Sequence, residues 1–439
     1  MKNFNVFLIF IFFLFSCGKE GPNNWIFCWD SNGNNINSCS STQQIGSSYE
    51  EYGKDISYFS SDDIFIVGET DGAFDNQSFS GGTDLIIVKY NSIGFKQWSQ
   101  QLGTIENEFV TGSDIDTSGN LYISGFTYGD LDGETNLGND DGYIVKYNSS
   151  GSKQWTSLIG TSQSDRSMGV SVFSSTTDVY LVGFTQGDLT GDSSGDNDYF
   201  LANYNLSSGN ENWRIQRGSS ADDKAISVDV AIDGSVYVTG YTYGDLTGDS
   251  SGDSDIFVAK YNTFGTLQWL NQIDTSNDSY ATKIKVNGNS EIYITGYTNG
   301  SFDGNTSSGG TDIFLIKYNN LGSKQWSTQY GGTGNDRAKG ITIDSSNNIY
   351  ITGNTSKNLS GNSNLGGQDI FISKYDQSGS REWTKQLGSS QNDFSDSVTH
   401  DSDGSLYLTG STNGDFDGHS SYGGTDIIFV KLNNSGTKL

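Results

Sequence analysis

The sequence has little positive charge, few histidines and no segment of helical periodicity. Lysine and arginine number 24 against 52 aspartates and glutamates, and the resulting net charge of -28 argues against binding to nucleic acid phosphates. Two isolated histidines argue against a zinc site. With 13% aromatic residues and one proline, the composition is not that of a disordered chain. We therefore expect a folded, all-β protein.

What the sequence does contain is one repeated unit. An aspartate recurs every 57 residues, at Asp84, Asp141, Asp198, Asp255, Asp312, Asp369 and Asp426. A tryptophan follows in six of the copies, at Trp98, Trp155, Trp213, Trp269, Trp326 and Trp383. A period of this length is typical of repeat architectures, which overrides the expectation of several domains from length alone.

Each repeat carries four short strand signals separated by turn residues. The seventh copy ends before its tryptophan strand, whereas residues 41–46 match that strand one period before the first copy. An N-terminal strand that completes the last repeat indicates a closed ring. The sequence thus predicts a seven-bladed β-propeller over residues 39–439, with four antiparallel strands per blade and the last blade closed by an N-terminal strand.

The repeat resembles a known bacterial family. The aspartate, a strand ending in Lys-Tyr, a Gln-Trp and a strand of the type Ile-Tyr-Ile-Thr-Gly are clearest from Asp312 to Thr355. This pattern resembles the SBBP (seven-bladed β-propeller) repeat over about residues 41–439. The resemblance implies the fold and an exported or cell-surface protein, and it implies no common chemistry.

The N-terminus predicts export and lipidation. Residues 1–16 are predicted to form a lipoprotein signal peptide, in which Lys2 precedes an apolar run too short to span a bilayer. Residues 14–17 resemble a bacterial lipobox, which implies a palmitate-type lipid on Cys17 and anchoring in the cell envelope, at the outer membrane or cell surface. The alternative is an ordinary export signal.

Residues 17–38 are predicted to form a lipidated tether and an extra hairpin. Cys28 and Cys39 flank the turn residues 32–34 and form an even pair in an exported chain, so we expect a disulfide between them. Two free buried thiols are the alternative.

The acidic residues concentrate in the loops between the second and third strands. From the residue after each strand glycine to the repeat aspartate, these seven loops hold 23 acidic residues and one basic residue, Lys357. A second ring of acids is predicted at the blade junctions, at Glu51, Glu108, Asp165, Asp223, Asp278, Asp336 and Asp393. We expect a cationic or cation-bridged protein or glycan to bind this face, unless the acids serve solubility alone. The repeat aspartates are interpreted as structural.

Calcium is the cofactor that these loops suggest, although none is certain. Calcium binds several carboxylate and carbonyl oxygens. The candidate ligands are Asp130, Asp132, Glu134, Asp188, Asp192, Asp196, Asp245, Asp249, Asp253, Asp415 and Asp417. None of these loops completes the known calcium-loop pattern.

The predicted function is a monomeric, non-catalytic binding or scaffold module at the bacterial cell envelope. No catalytic constellation can be identified in the sequence. An enzymatic propeller should place unlike polar groups near its axis, and the acids here repeat from blade to blade. The alternative is a carbohydrate-active hydrolase or lyase, which would use two carboxylates from different blades.

Overall fold

The structure is a computed structural model that describes residues 28–29, 35–36, 41–60, 63–173, 175–248, 254–273, 275 and 277–439. Among these residues the chain forms β-strands and one short 3₁₀ turn, Leu131–Gly133. The predicted signal peptide, Cys17, Cys39, Asp249 and Asp253 lie outside the described residues.

Thirty strands follow one another in chain order. They are β1 (Cys28–Trp29), β2 (Asn35–Ile36), β3 (Thr42–Ile45), β4 (Glu51–Phe59), β5 (Asp63–Thr70), β6 (Asp84–Asn91), β7 (Lys96–Leu102), β8 (Glu108–Ile115), β9 (Leu121–Thr127), β10 (Asp141–Tyr147), β11 (Lys153–Ile159), β12 (Asp165–Phe173), β13 (Asp178–Thr185), β14 (Asp198–Asn205), β15 (Glu211–Arg217), β16 (Asp223–Val230), β17 (Val236–Thr242), β18 (Asp255–Tyr261), β19 (Leu267–Ile273), β20 (Ser279–Val286), β21 (Ile292–Thr298), β22 (Asp312–Tyr318), β23 (Lys324–Tyr330), β24 (Asp336–Ile343), β25 (Ile349–Thr355), β26 (Asp369–Tyr375), β27 (Arg381–Leu387), β28 (Asp393–His400), β29 (Leu406–Thr412) and β30 (Asp426–Leu432).

Strands β3 to β30 build seven antiparallel four-stranded sheets, as the repeat predicts. Blades 1 to 6 are β4–β7, β8–β11, β12–β15, β16–β19, β20–β23 and β24–β27, each in chain order from the inner to the outer strand. Blade 7 has the order β28-β29-β30-β3, so the N-terminal strand is its outer strand. The seven-bladed fold and its closure by an N-terminal strand are therefore confirmed.

A β-bulge interrupts every inner strand at the same place. In blade 1 the register shifts between Gly53 and Asp55, and in blade 2 between Val110 and Gly112. A bulge inserts one extra residue and re-aims the side chains that follow it. The seven bulges therefore set which inner-strand residues face the axis.

Blades pack on each other through the buried faces of their sheets. In blades 1 to 6 the tryptophan of the outer strand packs against an aromatic residue of its own second strand, as in the edge-to-face Phe65–Trp98 pair. Its indole N–H also reaches the neighbouring blade: Trp213 Nε1 donates to the Thr263 carbonyl at 3.2 Å. These contacts join consecutive blades, and the apolar clusters between them are buried.

The junction of blades 7 and 1 lacks this tryptophan, because Ser41 stands at its position. A series of aromatic rings packs there instead. Tyr407 stacks with Tyr58 and with Phe429, whose ring centroid lies 5.5 Å from that of Tyr90. The junction that joins the two ends of the chain is thus packed by different residues from the others.

The extra hairpin predicted within residues 22–38 corresponds to β1 and β2, which pair antiparallel with Cys28 opposite Ile36. Nothing more of this segment is described, and the Cys28–Cys39 disulfide stays a prediction.

Candidate functional site

One face of the ring carries all the loops between second and third strands. We name it the loop face; its loops are residues 71–83, 128–140, 186–197, 243–254, 299–311, 356–368 and 413–425. The inner strands begin on the same face, because Asp71 N donates to Glu50 O at 3.0 Å and Glu51 N donates to Thr425 O at 2.7 Å. The acid-rich loops and the blade junctions therefore share one surface.

The repeat aspartates hold the loops in place and are buried. Asp84 Oδ2 accepts hydrogen bonds from Ser80 N at 3.0 Å and from Gln101 Nε2 at 2.8 Å. The same aspartate–glutamine pair occurs in six blades, at 84–101, 198–216, 255–272, 312–329, 369–386 and 426–44. Blade 2 has Leu158 in place of the glutamine, and burial raises the pKa of Asp141 there to about 6.

The junction acids begin the inner strands, except in blade 5. Glu51, Glu108, Asp165, Asp223, Asp336 and Asp393 each pair with the last threonine of the second strand. In blade 5 Ser279 pairs with Thr298 at this position, so the prediction for Asp278 is wrong by one residue. Ser279 keeps the 57-residue spacing of Glu51, Glu108 and Asp165, so the repeat position itself carries a serine in blade 5 and the acid stands one residue before it.

Next to the junction acids, a ring of residues surrounds the mouth of the central channel. We name it the rim: the second residue of each inner strand with its cross-strand partner. Its pairs are Tyr52–Glu69, Phe109–Phe126, Arg166–Phe184, Lys224–Tyr241, Tyr280–Tyr297, Arg337–Asn354 and Phe394–Ser411. In blades 2 to 5 every rim residue is aromatic or cationic.

The rim side chains of blades 2 to 6 form a continuous arc. The Arg166 guanidinium lies 4.5 Å from the Phe126 ring centroid, and Lys224 Nζ lies 4.9 Å from that of Phe184. The arc continues where Tyr241 and Tyr280 meet edge to face, with centroids 5.0 Å apart.

Arg337 ends the arc, 5.0 Å from the Tyr297 ring centroid. Two tyrosines extend the arc toward solvent, Tyr128 at 38% and Tyr243 at 41% exposure. Arg166 Nη2 donates to the Tyr128 hydroxyl at 3.0 Å, and the Tyr243 and Tyr280 hydroxyls are 3.0 Å apart. The result is a row of aromatic faces and edges beside cations at the channel mouth.

Below the rim, the channel is lined by unlike charged groups. The inner strands carry Asp55, Asp114, Asp229 and Asp396 together with Lys54, Lys283, Lys285 and Lys339. Most of these residues surround a cavity of about 120 Å³ between the inner strands. The expectation that residues near the axis repeat from blade to blade is therefore wrong, because the same inner-strand positions carry different residue types in different blades, such as Asp55 in blade 1 and Lys283 in blade 5.

Three of the channel carboxylates connect neighbouring inner strands. Asp55 Oδ2 accepts from Ser113 N at 2.7 Å, and Asp229 Oδ2 accepts from Val286 N at 2.6 Å. Asp114 Oδ2 accepts from Val172 N at 2.7 Å in the same way. An inner strand is the edge of its sheet and has free backbone N–H groups. The aspartates satisfy them from the preceding blade.

The channel lysines pair with these aspartates. Lys285 Nζ lies 3.2 Å from Asp229 Oδ1, and Lys283 Nζ reaches across the channel to 3.6 Å from Asp55 Oδ2. The carboxylate of Asp229 raises the pKa of Lys285 above its ordinary value, against the effect of burial. Burial raises the pKa of Asp114, and Lys285 opposes that rise.

Two stretches, residues 325–360 and 382–417, match the family model described as a β-propeller repeat, SBBP. The chain carries the SBBP β-propeller repeat. This match confirms the family resemblance and agrees with the seven-bladed fold.

Two curated proteins are similar to this SBBP propeller. Regulatory protein FlaEY of Caulobacter vibrioides is 24% identical over 365 residues, which is 73% of this chain and 38% of that protein. The uncharacterized WD repeat-containing protein L264 of Acanthamoeba polyphaga mimivirus is 24% identical over 233 residues, 41% of this chain and 17% of that protein. The chain thus spans well under half the length of either relative.

Solved structures are also similar, and two of those named here are described as propellers. They include a protein of unknown function from Dyadobacter fermentans, with TM-score 0.49, 9% identity and coverage of 90% of this chain and 99% of that one. The Dos1 propeller has TM-score 0.46, 10% identity and coverage of 89% and 96%. The β-propeller domain of the Trilobed protease from Pyrococcus furiosus has TM-score 0.46, 10% identity and coverage of 87% and 95%.

Four of the nine described calcium candidates of the SBBP propeller already have partners within their own loops. Asp188 Oδ1 and Asp245 Oδ1 cap turns by accepting from Thr190 N at 3.2 Å and Thr247 N at 3.0 Å. Asp130 and Asp415 accept the backbone N–H six residues later, at 2.9 Å in both cases. Glu134, Asp192 and Asp196 are exposed.

Asp132 and Asp417 belong to a separate recurring arrangement. Asp417 contacts Lys438 Nζ at 2.6 Å and Thr42 Oγ1 at 2.6 Å, and Asp132 contacts Lys153 and Thr156 equivalently. A lysine ammonium therefore occupies the place beside these carboxylates. Calcium in the loops stays a prediction.

In the part of the chain that the structure describes, no three histidine, cysteine, aspartate or glutamate side chains form a group suited to hold a metal ion. No described helix is long and apolar enough to cross a membrane.

The rim was not predicted from the sequence. Arg166 and Lys224 form local ion pairs, with Asp140 at 2.5 Å and Asp222 at 3.3 Å. Their stacking on aromatic rings was not expected. The rim positions can nevertheless be found in the sequence. In each rim pair, one residue directly follows a junction residue and its partner directly follows a strand glycine.

Proposed function

We propose that this SBBP propeller is an exported, lipid-anchored, non-catalytic binding module of the bacterial cell envelope, and that the rim is its binding surface. The observation that carries this proposal is the continuous aromatic and cationic arc from blade 2 to blade 6. The fold does not require aromatic residues there, because Asn354 and Ser411 occupy the equivalent second-strand positions in blades 6 and 7. The aromatic residues of the arc are thus not required by the repeat, and they lie on the loop face, where a ligand can reach them.

The chemistry of the arc suits a glycan. Tyrosine and arginine offer flat surfaces with polar edges, which are enriched where proteins bind partners. A sugar ring presents an apolar C–H face to an aromatic ring and hydroxyls to neighbouring carboxylates. The exposed acids of the surrounding loops, such as Asp188 and Asp192, supply such acceptors and favour cationic or cation-bridged ligands.

Sedimentation with insoluble polysaccharide tests this function. Wild type and a Tyr241→Ala/Tyr280→Ala variant are mixed with the polysaccharide fraction of a bacterial envelope, and the bound fraction is measured. We expect the variant to bind at least about tenfold more weakly, about 1.4 kcal/mol. The matched control is Phe264→Ala, which removes an 81% exposed aromatic side chain from a third-to-fourth-strand hairpin. Equal binding by the wild type and the rim variant contradicts the proposal.

The lipid anchor is part of the same proposal. It rests on the signal and lipobox pattern of residues 1–17. We expect wild type to incorporate a labelled fatty acid and to sediment with membranes, and Cys17→Ser to remain unlabelled and soluble. Labelling that persists in Cys17→Ser contradicts lipidation at this residue.

The hydrolase alternative has one observation in its favour, the unlike charges in the channel. However, Asp55, Asp114 and Asp229 each accept a backbone N–H of the next inner strand. Carboxylates used in this way serve the ring rather than a substrate. A relative described as a regulatory protein also agrees with a non-catalytic role. Release of reducing sugars from the same envelope polysaccharide, lost in Asp396→Asn, would favour the enzyme instead.

A further inference from the structure

Two buried carboxylates face each other at six of the seven blade junctions. One is the repeat aspartate of a blade and the other is the junction acid that begins the next inner strand. The pairs are Asp84–Glu108, Asp141–Asp165, Asp198–Asp223, Asp312–Asp336, Asp369–Asp393 and Asp426–Glu51. Every member of these pairs is at most 1% exposed.

In four of the pairs a glycine lies between the two carboxylates; these glycines are Gly103, Gly218, Gly331 and Gly388. A Cβ on Gly103 would overlap Asp84 Oδ1 and would lie 2.8 Å from Glu108 Oε2. A Cβ on Gly218 would likewise overlap Asp198 Oδ1 and lie 3.1 Å from Asp223 Oδ2. The two carboxylates therefore share one small space, which a larger side chain would fill.

The repeat aspartates present an unused oxygen to this space. Their Oδ2 atoms accept hydrogen bonds from the loop and, except in Asp141, from the glutamine, whereas the Oδ1 atoms of five of them accept none from the described residues. These five are Asp84, Asp141, Asp312, Asp369 and Asp426, each 0% exposed. A buried carboxylate oxygen without a partner is costly, and more so beside a second carboxylate.

Blade 5 shows that the fold can avoid this cost. Ser279 replaces the junction acid there, and Thr275 N donates to Asp255 Oδ1 at 3.0 Å. In blade 1 the equivalent N–H, that of Thr104, donates to Glu108 Oε2 at 2.6 Å instead. At five of the six junctions the unused oxygen thus accompanies the second carboxylate; Asp198 is the exception, because Ser194 Oγ donates to its Oδ1 at 3.4 Å. The other six junctions keep two carboxylates, although a neutral residue in place of the junction acid would let the turn N–H donate to the repeat aspartate, as in blade 5.

We propose that each of these six carboxylate pairs binds one divalent cation of the calcium type. Two carboxylates match the charge of the ion, and calcium accepts irregular sets of oxygen ligands more readily than magnesium does. Each site has only two acidic ligands, so hydroxyl, backbone and water oxygens complete the set. The ion joins the third strand of one blade to the inner strand of the next, and it therefore stabilises the ring.

A shared proton is the competing explanation. Burial raises the pKa of Glu108, and Asp84 adds to the rise. A protonated glutamic acid could then face Asp84 without any ion. The two explanations differ in what replacement of Glu108 by the neutral glutamine does.

Titration of the full-length, chelator-treated chain with calcium chloride at pH 7.5 tests the proposal. We expect about six equivalents by calorimetry and a rise in the melting temperature. The Glu108→Gln variant should bind one equivalent of calcium fewer than wild type, and calcium should raise its melting temperature by less. The matched control is Asp192→Asn, which changes an exposed loop acid and should keep both.

Three results overturn the proposal: no heat and no melting shift at millimolar calcium, a full stoichiometry in Glu108→Gln, or a loss in Asp192→Asn that equals the loss in Glu108→Gln. A Glu108→Gln chain that melts higher than wild type without calcium, and binds none, supports the shared proton. If Glu108→Gln fails to fold, Asp393→Asn provides the same comparison in blade 7.

Discussion

Gln44 and Asp426 lie 382 residues apart in sequence, and Gln44 Nε2 donates to Asp426 Oδ2 at 2.6 Å. Gln44 belongs to the strand that closes blade 7, and its amide also donates to the Gly414 carbonyl at 3.0 Å. The pair repeats the aspartate–glutamine contact found within single blades. In blade 7 the two ends of the chain thus form the same hydrogen bond that blades 1 and 3 to 6 each form within a single repeat.

Replacing Gln44 with leucine should destabilise the whole ring. The substitution removes one of the donors to Asp426 Oδ2 and to the Gly414 carbonyl, and it leaves the Phe416 N–H without the Gln44 Oε1 acceptor 3.0 Å away. A buried polar group left unsatisfied costs about 1–3 kcal/mol. Urea unfolding followed by tryptophan fluorescence measures the change. Gln43→Leu is the control, because Gln43 alternates to the other side of β3. Equal effects of the two substitutions would show that the closing hydrogen bond contributes nothing.

Removing residues 39–47 tests closure more severely. The deletion takes away β3 and exposes the edge of β30, so we expect one cooperative transition at a clearly lower temperature. An unchanged melting temperature would mean that the N-terminal strand does not hold the ring together.

Asp141 should make stability depend on pH. Burial raises its pKa to about 6, with Asp165 and Asp140 adding to the rise. Between the ordinary carboxyl pKa and about 6 the folded chain holds a proton that the unfolded chain has lost. The contribution of this group to stability therefore falls as the pH rises through that window.

The substitution Leu158→Gln should restore the missing pair. The new amide can donate to Asp141, as Gln101 does to Asp84 at 2.8 Å. We expect the melting temperature to rise relative to wild type at pH 7.5 and to change less at pH 4.5, where Asp141 already carries a proton. Scanning calorimetry in the presence of a chelator measures both. The reciprocal Gln101→Leu should lower stability at pH 7.5, and a gain there would refute the role given to the glutamine.

The channel ion pair between Asp229 and Lys285 should be energetically coupled. A double-mutant cycle with Asp229→Asn and Lys285→Met isolates the coupling, for which we expect about 1 kcal/mol because the lysine is partly open to water. Urea unfolding of the four chains provides the values. If the effects of the two substitutions on the free energy of unfolding are additive, Asp229 and Lys285 contribute independently and the predicted coupling is absent.

The sequence predicted the parts of the fold that repeat, and it failed where the fold departs from the repeat. Seven blades and their closure followed from the period, because Asp426 and Gln44 keep the pattern across the termini. The site at blade 5 was missed by one residue, since Asp278 looked equivalent until the pairing of Ser279 with Thr298 fixed the register.

The channel and the rim needed the three-dimensional structure. A bulge in every inner strand decides that Asp55, Lys283 and Lys285 face the axis, and nothing in the 57-residue pattern marks the bulge. Tyr241 and Tyr280 meet only because two blades bring them together. Contacts between blades depend on packing geometry, which a single repeat does not encode.

The most direct test of the rim as the binding surface is hydrogen–deuterium exchange with soluble oligosaccharides released from a bacterial envelope. We expect added protection at the starts of the inner strands of blades 2 to 6, where Phe109, Arg166, Lys224, Tyr280 and Arg337 lie. The hairpins on the opposite face, such as residues 262–266, should exchange unchanged. Protection confined to those hairpins or to the outer strands would contradict the account.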